Sequence, residues 1–337
     1  MANKVLVIGG TGFLGKALVN RLVKEKYSVR LLHREKSDLT GIDKAVEKVV
    51  GDVTDKKSLE TAYSGMDYAF HSAALVTQWC RDKSTFDRIN VEGFLNSMET
   101  AKKSKVKKVI YTSSFMALGP SNGKPISEDD FKKRSYFHNE YERTKYIAEL
   151  KLHDLWKKGY KISAAYPGVI YGPGDLTEGN IVVRNFILPR VQKQFLGFFL
   201  LGKGKGLWSY SYIDDVVDGH IKILEKGKIG EGYILAGENA DHRKLFALVE
   251  EFSGVKPPPL KMPFAMAKMK GYMDLALAML FGKQPEVTPN AVRVFESDWA
   301  YDSSKAVEEL GYKMTPLKKG IKRTMEWLEK NGYYKRK

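Results

Sequence analysis

A short apolar run, Lys4–Ile8, breaks into Gly9-Gly10-Thr11-Gly12-Phe13-Leu14-Gly15, and Phe13–Lys24 continues with apolar residues at helical spacing. No other stretch restricts the fold so tightly. Glycines recurring every three residues between a strand and a helix predict the first turn of a parallel β-α-β unit. Gly9, Gly12 and Gly15 divide the work: one turns the chain tightly, one lets backbone approach a pyrophosphate, one lets helix and strand pack closely. The helix then points its free N–H groups and the positive end of its dipole at the phosphates.

The alternation goes on. Ser28–Leu32 and Lys48–Val50 read as strands, Asp55–Tyr63 as a helix and Asp67–His71 as a strand. Lys83–Lys103 reads as one long helix, Lys108–Thr112 as a strand, Glu140–Lys158 as a helix and Lys161–Tyr166 as a strand. The expected class is α/β, a doubly wound parallel sheet (Rossmann) with a smaller C-terminal substrate-binding region. Residues 1–167 form the expected dinucleotide-binding core. Residues 168–337 form the mainly substrate-binding part, with segments returning to the core sheet. Gly168–Gly179 is loop-like, and Ile181–Gln194, Phe195–Leu201, Leu207–Tyr212, Val216–Glu225 and Arg243–Phe252 look added to the sheet. A stiff Pro257-Pro258-Pro259 connector leads to the Met-rich stretch Met262–Phe281, and Ser303–Glu309 and Leu317–Lys330 look like closing helices.

With 337 residues, 43% of them hydrophobic, the chain can bury a full core. Uninterrupted apolar runs stay below the 18 or so residues of a membrane span. Val5 to Ile8 is too short for a signal peptide. Cys80 is the only cysteine, which rules out an internal disulfide and fits a reducing, cytoplasmic setting. The net charge of +16 would suit a nucleic-acid binder, but zinc spacing, RNA-binding aromatics and a helix-turn-helix pattern are all missing, so no nucleic-acid partner is expected. The six histidines are scattered, so no metal is expected either.

The end of the second strand reads Leu31-Leu32-His33-Arg34-Glu35-Lys36. Arg34 suits a 2′-phosphate and Lys36 could assist, whereas Glu35 would take a ribose hydroxyl. NADP(H) is therefore favoured, with NAD(H) as the alternative. Asp52, where a short strand ends, is either an acceptor for the adenine amine or a turn residue. Tyr141 and Lys145 are four residues apart and share a helical face. A phenol with a pKa near ~10 exchanges its proton poorly at neutral pH, and a neighbouring ammonium should lower that value. Thr112-Ser113-Ser114 ends a strand, where a serine hydroxyl can polarise a carbonyl; Ser114 is preferred to Ser113 from its spacing to Gly119. Asn90 would steady the helix or a water near Lys145.

Gly9–Gly15, His71-Ser72-Ala73-Ala74, Asn90-Val91-Glu92-Gly93, Tyr111–Ser114, Tyr141–Lys145, Tyr166–Gly174 and Tyr212–Val216 stand in an order that resembles the extended short-chain dehydrogenases/reductases over nearly the whole chain. Tyr111–Gly119, His138–Arg143 and Gly237-Glu238-Asn239-Ala240 are similar to the dihydroflavonol 4-reductase-like branch, and within it to plant farnesol dehydrogenases. The resemblance implies a catalytic triad of Ser114, Tyr141 and Lys145. It implies cofactor contacts at Gly9, Thr11, Gly12, Phe13, Leu14, Gly15, Arg34, Lys36, Asp52, Val53, Ala73, Asn90, Lys145, Pro167 and Val169, and substrate contacts at Phe115, Met116, Phe137 and Tyr171. Tyr141 would donate a proton to a carbonyl oxygen as hydride arrives, while Ser114 hydrogen-bonds that oxygen.

Phe115 and Met116 after Ser114 argue against a dehydratase, which needs an acid there. Tyr166, where many relatives carry Arg, argues against a diphosphate-sugar substrate. Phe186, Phe195, Phe198, Phe199 and Trp208 suggest an apolar cleft for a prenyl, sterol-like or flavonoid compound. The expected activity is hydride transfer to or from a hydrophobic alcohol/ketone or aldehyde; a sugar-nucleotide epimerase and a non-catalytic dinucleotide sensor are the alternatives. Met262–Phe281, with Lys261, Lys268, Lys270 and Lys283 beside it, either covers the pocket as a helix pair or makes weak peripheral contact with an anionic membrane. Homodimerisation through Lys83–Lys103 and Glu140–Lys158 is usual in the family.

Overall fold

The computed structural model describes residues 3–121 and 123–336; the outer ends of the expected division, 1 and 337, lie outside them. Among these residues the strands are β1 Lys4–Ile8, β2 Ser28–His33, β3 Glu47–Val50, β4 Tyr68–His71, β5 Lys108–Thr112, β6 Ile162–Pro167, β7 Val169–Tyr171, β8 Phe199–Leu201, β9 Leu207–Tyr212, β10 Gly232–Leu235, β11 Glu238–Asp241 and β12 Leu260–Met262. Seven form one sheet in the order β10-β6-β5-β4-β1-β2-β3, with every pair parallel. Val5, Leu6, Val7 and Ile8 of β1 are all buried, because crossover helices cover both sheet faces and leave no polar side to a central strand. One apolar cluster joins the sheet to helices from both halves of the chain, including Ile213–Glu225 and Leu317–Lys330.

The strand order reverses between β1 and β4. A crevice opens there at the carboxyl ends of the strands, which is where doubly wound sheets place their ligands. Two smaller sheets stand beyond it, β11-β9-β7 and β12-β8, and β10 brings the later chain back to the main sheet.

The expected long helix over Lys83–Lys103 is divided. Ser84–Asp87 and Gly93–Lys103 are α-helical, and Arg88–Glu92 between them is a wider π turn carrying Asn90. Asn90 explains the bulge: its side chain spans a neighbouring loop and the Glu140–Lys157 helix, which holds the backbone out of regular α spacing. Ile181–Gln194 has a second π turn at Val183–Ile187. Met262–Phe281 is a strand end followed by one helix, Phe264–Phe281, rather than a helix pair. Among the described residues no helix is long and apolar enough to cross a membrane.

Candidate active site

Gly9 leaves β1 with φ +86°, a left-handed conformation that disfavours side chains; a Cβ there would lie 2.5 Å from the Ala73 backbone nitrogen. Gly15 sits under the same turn, where a Cβ would approach the Gly9 carbonyl to 2.2 Å. Gly12 is open on its outer side, its nearest atom being Gly9 O at 3.6 Å. Gly12 is also the residue before the Phe13–Lys24 helix, whose first turn has no side-chain cap and no acidic residue. Uncapped N–H groups, a positive dipole end and a backbone free of side chains make a cradle for a pyrophosphate.

From this cradle a cleft of about 1170 Å³ runs across the sheet end. Of the expected cofactor residues, Gly9, Thr11, Gly12, Phe13, Leu14, Arg34, Asp52, Val53, Ala73, Lys145, Pro167 and Val169 line it. Three do not. Gly15 lies behind the wall and acts through packing alone. Lys36 is exposed and does not line the cleft; Ser37 does, and it accepts a hydrogen bond from the Arg34 backbone N–H at 3.1 Å. Asn90 is buried behind the wall: its Oδ1 accepts from Leu75 N at 2.7 Å and its Nδ2 donates to Thr144 Oγ1 at 3.0 Å. Asn90 therefore holds the Leu75 loop to the Glu140–Lys157 helix from behind the cleft wall, which steadies that helix as expected. Asp52 has its expected turn role, its Oδ1 accepting from Thr54 N at 2.9 Å, and it also lines the crevice.

Ser114, Tyr141 and Lys145 converge where β5 ends. Ser114 has extended backbone before the short Phe115–Leu118 helix and accepts from Met116 N at 3.2 Å. Asn139 caps the Glu140–Lys157 helix, taking the Glu142 N–H at 2.8 Å, and this fixes the direction in which Tyr141 projects. The Ser114 hydroxyl and the Tyr141 phenol face the same cleft, close enough for Ser114 to favour the ionised phenol. Lys145 Nζ donates to Thr112 O at 2.9 Å and lies 6.0 Å from the Tyr141 ring centroid.

Burial dominates the electrostatics. It pushes the Tyr141 phenol up to about 12, against the smaller lowering effect of the nearby Ser114 hydroxyl, and pushes the Lys145 ammonium down to about 7, against the opposing charge of Glu149. The expectation that Lys145 would lower the phenol is thus corrected. Removing each charged form from water outweighs their attraction across this distance, and at neutral pH Lys145 carries only part of its charge. Tyr141 keeps its proton and can give it to an oxygen beside Ser114.

Phe115 and Met116 line the cleft as expected; Phe137 and Tyr171 do not. Phe137 packs on the Tyr146 ring at 5.1 Å and beneath the Arg134 guanidinium at 5.2 Å. Tyr171 is fully buried under the Leu317–Lys330 helix, where a Cβ on Gly320 would meet its hydroxyl, and Ile170 faces the cleft in its place. Two residues not singled out from the sequence matter here. Glu149, one turn after Lys145, accepts from Ser113 Oγ at 2.8 Å and from the Tyr166 hydroxyl at 2.6 Å. Arg134 pairs with the buried Glu142 at 2.5 Å and donates to the Met116 and Ala117 carbonyls, fixing the segment after Ser114. The i, i+4 spacing from Lys145 is the signal that could have found Glu149; Arg134 leaves no such trace. His138 is held by Glu142 at 2.8 Å, and among the described residues no group of three or more His, Cys, Asp or Glu could hold a metal ion.

The sequence pattern of the NAD dependent epimerase/dehydratase family matches residues 5–236, from β1 through β10. The chain belongs to that family. It is an extended short-chain dehydrogenase/reductase, and its glycine cradle is where the family's NAD fits. A putative dihydroflavonol 4-reductase of Synechocystis sp. is 28% identical, covering 99% of this chain and 97% of that protein. Sterol demethylase protein B of Methylococcus capsulatus is also 28% identical, over 97% and 98% of the two chains. Among solved structures, gox2253 is 32% identical with a TM-score of 0.81, covering 99% of this chain and 100% of that one. UDP-glucose 4-epimerase from Thermotoga maritima, solved with UDP-glucose, is similar at 24% identity and a TM-score of 0.79, over 97% and 99%, a likeness of fold.

Proposed function

We propose that this family member transfers hydride between a nicotinamide dinucleotide and a hydrophobic alcohol/ketone or aldehyde of prenyl, sterol-like or flavonoid character. One observation carries the reading. Among the described residues, the Arg and Lys side chains on the cleft wall other than Arg34 and Lys145 are already paired: Arg184 with Glu178, and Lys270 with Asp274 at 2.6 Å and Glu286 at 3.3 Å. A sugar diphosphate brings two negative charges that need unpaired cations. Apolar groups instead line this end, among them Phe186, Leu188, Leu200, Trp208 and Phe295.

When bound, the nicotinamide supplies or takes the hydride. The chain's own residues manage the proton. Tyr141 donates to the substrate oxygen during reduction and receives from it during oxidation, with Ser114 hydrogen-bonded to the same oxygen. Lys145 adds partial positive charge beneath the phenol. Arg34, with Ser37 beside it, favours a 2′-phosphate, so NADP(H) is the preferred form.

A sugar-nucleotide epimerase is the second reading, favoured by Asn185, a polar side chain on the same wall. Absorbance of reduced nicotinamide, followed with farnesal, flavanonols, steroids and simple aldehydes, and a parallel assay of UDP-sugars for interconversion, test both. Net cofactor oxidation with a lipophilic carbonyl is the expected result. Sugar interconversion without net redox change would transfer the assignment to the epimerases, and tight cofactor binding with no turnover would make the chain a dinucleotide sensor.

A further inference from the structure

The Phe264–Phe281 helix is turned inside out. Its buried positions are the small residues Ala267, Gly271 and Ala278, and a Cβ on Gly271 would meet Pro289 N at 2.7 Å, so this face packs close against the protein. Its large apolar side chains face outward: Met269, Tyr272, Met273, Leu277, Leu280 and Phe281, with Leu280 76% and Phe281 70% exposed. A helix in water ordinarily buries such residues, and a contiguous patch of them marks a surface that meets another apolar phase. Phe195 and Leu260, beside the paired strands β8 and β12, extend the exposed apolar area.

Charge identifies the phase. Between Gly254 and Glu286 there are five lysines and two carboxylates. Both carboxylates, Asp274 and Glu286, are occupied by Lys270. Lys256, Lys261 and Lys283, with Lys203 and Lys205 in the turn after β8, are exposed and have no ion pair among the described residues. A second copy of this chain would bring the same lysines face to face, on molecules already at +16. Anionic lipid headgroups would neutralise them while the Met, Leu and Phe side chains enter the acyl boundary. The 18-residue helix is about 27 Å long and would lie in the plane of the surface.

We propose that the outer face of the Phe264–Phe281 helix docks this protein on an anionic lipid surface. Ala267 and Lys270 of that helix, and Met262 just before it, also line the catalytic cleft, so docking places the apolar end of the cleft at the lipid boundary. Delivery of substrate from the bilayer rests on the lipophilic-substrate reading above; the docking itself does not.

The experiment is flotation of the full chain with phosphatidylcholine vesicles made with or without phosphatidylglycerol, and no substrate added. Wild-type protein should float with the phosphatidylglycerol vesicles and release as salt is raised. The double variant Leu277→Glu/Leu280→Glu, changed at exposed positions outside the cleft, should bind at least about tenfold more weakly with an unchanged circular dichroism spectrum. Failure of the wild type to float, equal flotation on both vesicle types, or undiminished binding of the variant would each overturn the proposal. A dimer in sedimentation velocity that the same variant dissociates, without vesicle binding, would assign the face to a second copy. Because no turnover is read, these outcomes are independent of whether the oxidoreductase reading holds.

Discussion

Lys145 and Glu149 stand one turn apart on the Glu140–Lys157 helix, both buried, and the carboxylate's charge opposes the loss of the lysine's proton. Glu149 is itself held by Ser113 at 2.8 Å and Tyr166 at 2.6 Å, which fixes its charge between the end of β5 and β6. Glu149→Gln keeps an acceptor for one of these hydroxyls and removes the charge. The Lys145 pKa should then fall below about 7, and the alkaline limb of kcat/KM should move to lower pH. The loss at alkaline pH should be on the order of tenfold and shrink toward acid pH. A profile that superimposes on the wild type would show that Glu149 serves packing alone.

Holding Lys145 in a dry site costs stability, and the cost has a sign in pH. Its folded pKa of about 7 lies below the ordinary 10.5, so between those values the unfolded chain binds the extra proton. Stability should therefore rise as pH climbs from about 7 toward 10.5, with the full cost present below about 7. Buried Lys108, lowered to about 8, adds a smaller rise of the same sign. Lys145→Met should raise stability by on the order of 1–3 kcal/mol at acid pH and flatten the rise, leaving the Lys108 part. Thermal melts of the cofactor-free protein across this range would measure it.

Tyr141→Phe removes one oxygen and leaves the ring in place. Turnover should fall by about 10²–10⁴-fold, because no other group beside Ser114 can give the proton, while dinucleotide affinity should stay near wild type. Ser114→Ala should cost about 10²–10³-fold in kcat. Steady-state rates beside a cofactor-binding titration would separate chemistry from binding; a Phe variant of normal rate would move the proton donor elsewhere.

The readable and unreadable parts of the chain divide on physical grounds. β1, β5 and β6 are buried on both faces, so they stand in the sequence as continuous apolar runs, and the glycine turn after β1 carries its own geometry. β7 is three residues long, too short for its alternation to show a direction, and pairing with β9 is what turns Tyr171 inward and Ile170 toward the cleft. Phe137 is drawn away by Arg134 and Tyr146, contacts set by tertiary folding. Asn90 sits in a π turn, which the helical pattern of Lys83–Lys103 does not reveal. For the Phe264–Phe281 helix, composition alone cannot say whether its small or its large residues are buried.

Gly12 and Gly15 should respond differently to the same added methyl. On Gly15 it meets backbone, Gly9 O at 2.2 Å and Gly10 Cα at 2.7 Å, neither of which can yield without moving the turn. Gly15→Ala should cost about 1–3 kcal/mol in stability and lower cofactor affinity at least about tenfold. On Gly12 the nearest atom is 3.6 Å away, so Gly12→Ala should fold normally and lose affinity alone, its methyl standing where phosphate must approach. Paired melts and binding titrations would show whether the two glycines divide the work in this way.

Arg34 and Lys36 offer a matched pair for the cofactor question. Both are exposed at the end of β2, but only Arg34 lies on the cleft wall, with Ser37 fixing its backbone. If the bound form is NADP(H), Arg34→Leu removes a charge-assisted contact and should lower kcat/KM with NADPH by about 10- to 100-fold while leaving NADH unchanged. Lys36→Leu should leave both near wild type, since general loss of positive charge is not the cause. Equal losses with both cofactors in the Arg34 variant would place Arg34 against the adenosine common to both, and with it the preference would revert to NAD(H).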